Sequence, residues 1–278
     1  MARPKLLNTA TRVFRGSDFR RRLTTALFGI PFMLAIVYFG TPLWDTFVIV
    51  VALLCVRELW HMIIPKSLVG LTGMILITLA CFLCFRINNY LILAAVFLAF
   101  LIVQAARSLF TSGSKRQFLL RNFVYATLGA LYIGIPLTLI IAVRGMDRGV
   151  EWTALAFANN WTTDGLALIG GRMFGRHKLA PTISPSKTIE GALIGLVCGF
   201  SFGLILALWV GFPVQLALIA NFAISTLTVV GDLLESLIKR SFSVKDAGDI
   251  LPGHGGLLDR VDGMLLAGPA LYLILLLH

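Results

Sequence analysis

Charge is what this sequence has least of. Only 13% of its 278 residues are Asp, Glu, Lys or Arg, while 58% are hydrophobic; a soluble domain carries about 25% charged residues. With a mean hydropathy of +0.90, a chain of this length has more apolar surface than a soluble core can take in. That excludes a soluble domain and leaves a polytopic membrane protein. Acid is scarcer than base: 13 Asp and Glu stand against 24 Lys and Arg, for a formal net charge of +11. The excess is scattered between apolar runs, which argues against a nucleic-acid partner. It speaks first for membrane topology and second for an anionic ligand. Cysteine is nearly absent, with Cys55, Cys81, Cys84 and Cys198 all inside apolar runs. Cys81-Phe-Leu-Cys84 has metal-like spacing, but no other soft ligand lies near it, so these are small apolar helix residues. Internal repeats and low-complexity linkers are also missing. The basic start lacks a small-residue cleavage site, so no cleaved signal peptide is expected.

What the chain does have is long apolar runs. They fall at about 24–40, 43–64, 68–85, 90–106, 122–143, 151–170, 188–210, 213–238 and 261–277. Each is near the length that crosses a hydrocarbon core of about 30 Å. The expected fold is an all-α polytopic integral membrane protein of about nine transmembrane helices. Cationic residues alternate along this ladder. One side collects the basic N-terminus, Lys66, the Arg107–Arg121 stretch, the Arg172–Lys187 stretch, and Lys239, Arg240, Lys245 and Arg260; the other holds Arg86, Arg144 and Arg148. The positive-inside rule then puts the N-terminus in the cytoplasm. The organisation expected is a basic cytoplasmic segment (1–22), N-terminal transmembrane helices (23–145) and a C-terminal catalytic membrane domain (146–278). The last carries two cytoplasmic motif loops, 171–191 and 236–262.

Charged groups inside apolar spans are costly and mark function by default. Arg57-Glu58 is either a mutually neutralising pair or an anchor at the cytoplasmic end of its span. Asn159-Asn160-Trp-Thr-Thr-Asp164 sets a polar patch into the sixth span, and Asp164 there asks for a ligand, a metal or water. The 171–191 loop joins glycines to Arg172, Arg176, Lys178 and Lys187 and leads into a helix start, whose free amides favour an anion. It is a plausible phosphate cradle, although the G-x-x-x-x-G-K-[ST] spacing is absent. On the eighth span Asp232, Ser236, Lys239 and Arg240 share one helix face. Asp259 and Asp262 stand about one turn apart at the start of the ninth. Three carboxylates, Asp232, Asp259 and Asp262, can therefore converge from two helix ends, which suits a hard divalent ion such as Mg²⁺. Without a ligand they would repel one another.

Ser236, Lys239-Arg240, Lys245-Asp246, Pro252-Gly-His254-Gly-Gly and Asp259-Arg260-Val-Asp262 closely resemble the motif of the phosphatidate cytidylyltransferases, or CDP-diacylglycerol synthases, of bacterial type. Asp164, Gly175-Arg-His-Lys-Leu-Ala-Pro181, Ser184-Pro-Ser-Lys187-Thr and Glu190-Gly191 extend the likeness, which covers roughly residues 159–263. The first half agrees only in hydropathy and in Glu58. Leu168 departs from the pattern, standing where an aromatic residue is expected in a packing position.

The resemblance implies transfer of CMP from CTP to phosphatidate, with release of pyrophosphate and dependence on Mg²⁺; a second cation is compatible with it. It implies a multi-pass protein of the cell inner membrane with its active site facing the cytoplasm; a homodimer is compatible with it. On this reading Asp232, Asp259, Asp262 and Lys239 are catalytic, and the three aspartates hold metal. Asp164, Ser184, Lys187, Glu190, Ser236, Arg240, Lys245, Asp246, His254 and Arg260 bind substrate. His254, framed by glycines, either contacts base or phosphate or pins the loop. One alternative is a CTP-dependent enzyme for an ether or prenyl lipid phosphate. Another is a transporter coupled through Asp164 and Asp232, but it lacks paired broken helices or repeats and leaves Pro252-Gly-His-Gly-Gly unexplained.

Overall fold

The computed structural model describes residues 29, 31–64, 67–248 and 255–278. The basic segment 1–22, Lys66, Asp249 and Pro252-Gly-His254 lie outside them. After a helical segment at residues 31–39 come α1 (Leu43–Ile63), α2 (Leu68–Ile87), α3 (Leu91–Leu109), α4 (Ser114–Gly145) and α5 (Gly149–Phe174). A two-stranded antiparallel hairpin of β1 (Lys178–Ala180) and β2 (Ser184–Thr188) follows, in a segment expected to be loop throughout. The chain closes with α6 (Ile189–Val210), α7 (Val214–Ser241), the single turn α8 (Leu258–Val261) and α9 (Met264–Leu276). The molecule is an all-α membrane protein: α1, α2, α3, α4, α6 and α7 are each long and apolar enough to cross a bilayer.

The outward faces agree with that environment. Leu91, Leu98 and Ile102 of α3, and Leu193, Val197, Ile205 and Trp209 of α6, are exposed, as side chains meeting lipid should be. Inside, Trp44, Trp60, Met74, Ile133, Ile224, Leu265 and Leu271 are fully buried and join α1, α2, α4, α7 and α9.

In lipid, helices associate through close approach and polar contacts rather than through hydrophobicity. Both devices hold α5, α6 and α7 together. One face of α6 carries Gly191, Gly195, Gly199, Gly203 and Ala207, all buried and spaced by four residues. A Cβ at Gly195 would stand 2.5 Å from the Thr163 carbonyl oxygen, and one at Gly203 2.0 Å from Asn221 Oδ1. Against this stripe lies the polar patch of α5. Asn159 donates to Asn221 Oδ1 (2.9 Å) and accepts from Ser225 (2.8 Å) and Thr163 (3.2 Å), while Asn160 accepts from Thr228 (2.8 Å). Asn159 and Asn160 of the sixth span therefore serve as helix-to-helix glue.

Two of the three arginines expected on the sparsely charged side have structural work of their own. Arg144 donates to the carbonyls of Val37 and Tyr38 at the end of the first helical segment. Arg148 donates to those of Val210 and Gly211 at the end of α6 and lies over the Phe212 ring. Both satisfy carbonyls that a helix end leaves without partners. The motif-bearing segments sit together at the opposite end of the bundle.

Because the α5–α6 approach depends on absent side chains, Gly199→Val should drive a Cβ into Thr163 and destabilise the protein by about 1–3 kcal/mol. Thermal unfolding in detergent measures this, and a wild-type melting temperature would show that the stripe is slack.

Candidate active site

The site is built on the last turns of α7. Helical spacing sets Asp232, Glu235, Ser236 and Lys239 along one face. Gly231 lets α9 come close, since a Cβ there would lie 2.6 Å from the Asp262 carbonyl oxygen. Asp262, buried at the α8–α9 break, consequently meets α7. Carboxylate oxygens of Asp232, Glu235 and Asp262 all fall within 4.8 Å of one another. Asp164, half-buried on α5, feels the charges of Asp232, Lys187 and Arg260.

Cations interleave with these acids. Lys187, at the end of β2, makes an ion pair with Asp232. Thr188 then starts α6 by accepting the Gly191 amide, a side-chain cap of ordinary kind. Lys239 Nζ lies 2.5 Å from Glu235 and 2.6 Å from Asp259, and its side chain is only 12% exposed. Asp259 also accepts from the amides of Gly256 (3.1 Å) and Ala247 (3.4 Å). Burial alone would push the Asp259 carboxyl up, but hydrogen bonds with Glu235 and Lys239, the ammonium charge and the Gly256 amide outweigh it. The result is a carboxyl held below its ordinary range.

The structure thus brings Asp232 and Asp262 together with Glu235, and sets Asp259 one step away on Lys239. Glu235, 1% exposed, had gone unread in the sequence. Its signal was present: it lies three residues from Asp232 on a helix whose other charges were all considered functional.

Several expected ligands hold backbone in this structure. Arg240 donates to the carbonyls of Ile183 (2.9 Å) and Val244 (3.2 Å), tying the hairpin to the second motif loop. Glu190 accepts from the amides of Arg176 (3.0 Å) and His177 (3.2 Å) and meets His177 Nδ1 at 2.6 Å, so it closes the turn between α5 and β1. Ser184 and Ser236 are buried beside the site, and Lys245, Asp246 and Arg260 are exposed. His254 lies outside the described residues. Arg57 is exposed while Glu58 is buried, so the two do not form a buried pair. Glu58 instead accepts from Leu257 and Leu258.

A largely buried set of carboxylate oxygens flanked by the ammonium groups of Lys187 and Lys239 has the chemistry to hold a hard cation. Fold and site together define a polytopic membrane protein with interleaved carboxylates and ammonium groups at one end of its bundle. Residues 20–278 match the family described as the Cytidylyltransferase family. The relatives found include proteins named phosphatidate cytidylyltransferase. That of Staphylococcus saprophyticus is 32% identical over 92% of this chain and 98% of its own length. That of Staphylococcus haemolyticus is 33% identical with the same coverage, and that of Staphylococcus aureus 31%. The chain belongs to the cytidylyltransferase family.

Lys239 is the shared counter-charge of two carboxylates, so Lys239→Met should cost about 3 kcal/mol of stability by leaving both uncompensated. Removing Glu235 as well (Glu235→Leu) should restore part of it. Unfolding of the single and double variants measures both effects, and additive losses would contradict the shared ion pair.

Proposed function

We propose that this protein transfers the cytidylyl group of CTP to phosphatidate, forming CDP-diacylglycerol and pyrophosphate. The observation that carries the reading is the meeting of Asp232, Glu235 and Asp262 with Lys187 and Lys239 at one end of a membrane bundle, in a chain of this family. A lipid phosphate oxygen attacks the α-phosphorus of CTP; the new P–O bond forms as the bond to the β-phosphate oxygen breaks, and pyrophosphate leaves with that electron pair. Both reactants are anionic and the nucleophile belongs to the substrate. The protein's part is accordingly positioning and charge neutralisation.

The residues fit a divalent cation. Five carboxylates (Asp164, Asp232, Glu235, Asp259 and Asp262) interact with three cations (Lys187, Lys239 and Arg260), an excess of two negative charges when all are ionised. Magnesium held by Asp232, Glu235 and Asp262 would balance that excess and neutralise charge on the triphosphate. Lys187 and Arg260 hold phosphate oxygens, with Lys187 exchanging its Asp232 partner for substrate. Asp259 acts through Lys239, fixing the ammonium towards the site. Arg240 and Glu190 shape the hairpin and loop around the nucleotide.

The reading includes nine crossings, a cytoplasmic N-terminus and a site facing the cytoplasm, where CTP is. Support comes from the distribution of Lys and Arg, and from Arg144 and Arg148 serving the bundle end opposite the site.

Purified protein given labelled CTP, phosphatidate and Mg²⁺ should label lipid, and EDTA should stop the labelling until Mg²⁺ is restored. Asp262→Asn should lower turnover at least about 100-fold while leaving membrane insertion intact. No labelled lipid from phosphatidate or from ether and prenyl phosphates would overturn the transfer reading. Near-normal turnover by Asp262→Asn would remove that residue from the site.

A further inference from the structure

The second motif loop is fixed from a distant part of the chain. Glu58 lies near the C-terminal end of α1 and is 4% exposed. Its Oε1 accepts from the Leu257 amide at 2.9 Å and its Oε2 from the Leu258 amide at 2.8 Å, contacts that span 199 and 200 residues. The loop is shaped to admit this carboxylate. A Cβ at Gly248 would stand 2.7 Å from Oε1 and one at Gly256 3.0 Å from Oε2, so both edges of the loop close on Glu58 only because they are glycines.

The contacts continue directly into the site. The Leu257 carbonyl accepts the Arg260 amide at 3.0 Å, and the Leu258 carbonyl accepts the Asp262 amide at 3.1 Å. The Leu257–Leu258 peptide unit thus donates to Glu58 and accepts from Arg260, and the Leu258 carbonyl, one unit further on, accepts from Asp262, so the two residues held by Glu58 carry the carbonyls that set the backbone of Arg260 and Asp262. Asp262 in turn meets Asp232 and Glu235. On the other edge of the same turn, Asp259 accepts the Gly256 amide. Without Glu58 the turn keeps its Asp259 contact but loses the anchor that sets its depth against α7.

We propose that Glu58 is a positioning residue for the acidic cluster: it clamps the α8 turn so that Asp262 reaches Asp232 and Glu235. This deepens the transfer reading above and rests on it for the catalytic consequence, though not for the cation-binding one. A carboxylate is suited to the task because it accepts two adjacent amides at once. Glutamine keeps the size but presents an N–H to one of them.

The test is Glu58→Gln in the full chain, with Mn²⁺ binding followed by electron paramagnetic resonance and turnover measured per folded molecule. Outer-shell partners of metal ligands typically change affinity or activity by about 10–100-fold. Mn²⁺ affinity and kcat should thus each fall about 10-fold or more, with KM for CTP much less changed, and Glu58→Asp should recover part of both. Wild-type Mn²⁺ affinity and kcat in folded Glu58→Gln would reduce Glu58 to a structural contact and overturn the proposal. Leu257→Pro supplies a second variant that leaves α1 untouched. Leu257 has φ −70°, which proline adopts, and the change deletes one of the two donors. It should weaken Mn²⁺ binding in the same direction, and an unchanged affinity would equally overturn the clamp. Absence of lipid labelling by the wild type would instead sink the transfer reading, while the Mn²⁺ titrations would still decide the role of Glu58.

Discussion

Every carboxylate taken into this bundle must be matched, because an uncompensated charge in a low-dielectric interior costs several kcal/mol even after relaxation. The chain meets that constraint with very few groups. Asp232 has Lys187, Glu235 and Asp259 share Lys239, and Glu58 has two backbone amides. Among the described residues Asp262 brings a further carboxylate against Asp232 and Glu235. A concentration of negative charge that its own lysines do not cancel is a place for a cation, and a cation there is a place for phosphates.

The apolar scaffold serves this concentration. Glycines on α6 and the Asn159–Asn221–Ser225 contacts hold α5, α6 and α7 in close register. That register places Asp164, Lys187 and Asp232 near one another although they come from three separate elements. Gly231 performs the same service between α7 and Asp262. Small residues set the distances and charged residues use them. Arg240 then links the hairpin to the second loop, so that the two motif segments form one wall.

Much of this was legible in the sequence. Among the described residues most apolar runs foretold their helices to within a few residues, because hydrocarbon length and helical rise leave little freedom, but α4 begins at Ser114, well before its apolar run at 122. The motif segments were legible because charge is so rare here that its clustering is conspicuous. What the sequence did not disclose were contacts set by tertiary register. Glu235 shares a face with Asp232 by spacing alone, yet only the approach of α9 shows that it completes the cluster and that Asp259 stands beside Lys239. Glu58 looked like half of a local pair with Arg57, and nothing in its neighbourhood points to Leu257. Arg240 and Glu190 carry charges suited to phosphate, but loop closure turns both towards backbone groups. The polar patch that Asn159 and Asn160 share with Asp164 stood out in an apolar span, but only the neighbouring helices show that the two asparagines are partnered by Asn221, Ser225 and Thr228.

On the proposed function, Asp232, Glu235 and Asp262 together hold a divalent cation. Anomalous diffraction from crystals grown with Mn²⁺ and CTP tests it most directly. A manganese peak within coordination distance of all three carboxylates is expected, with triphosphate oxygens completing its shell. A peak on Asp259 with none between Asp232, Glu235 and Asp262 would contradict it.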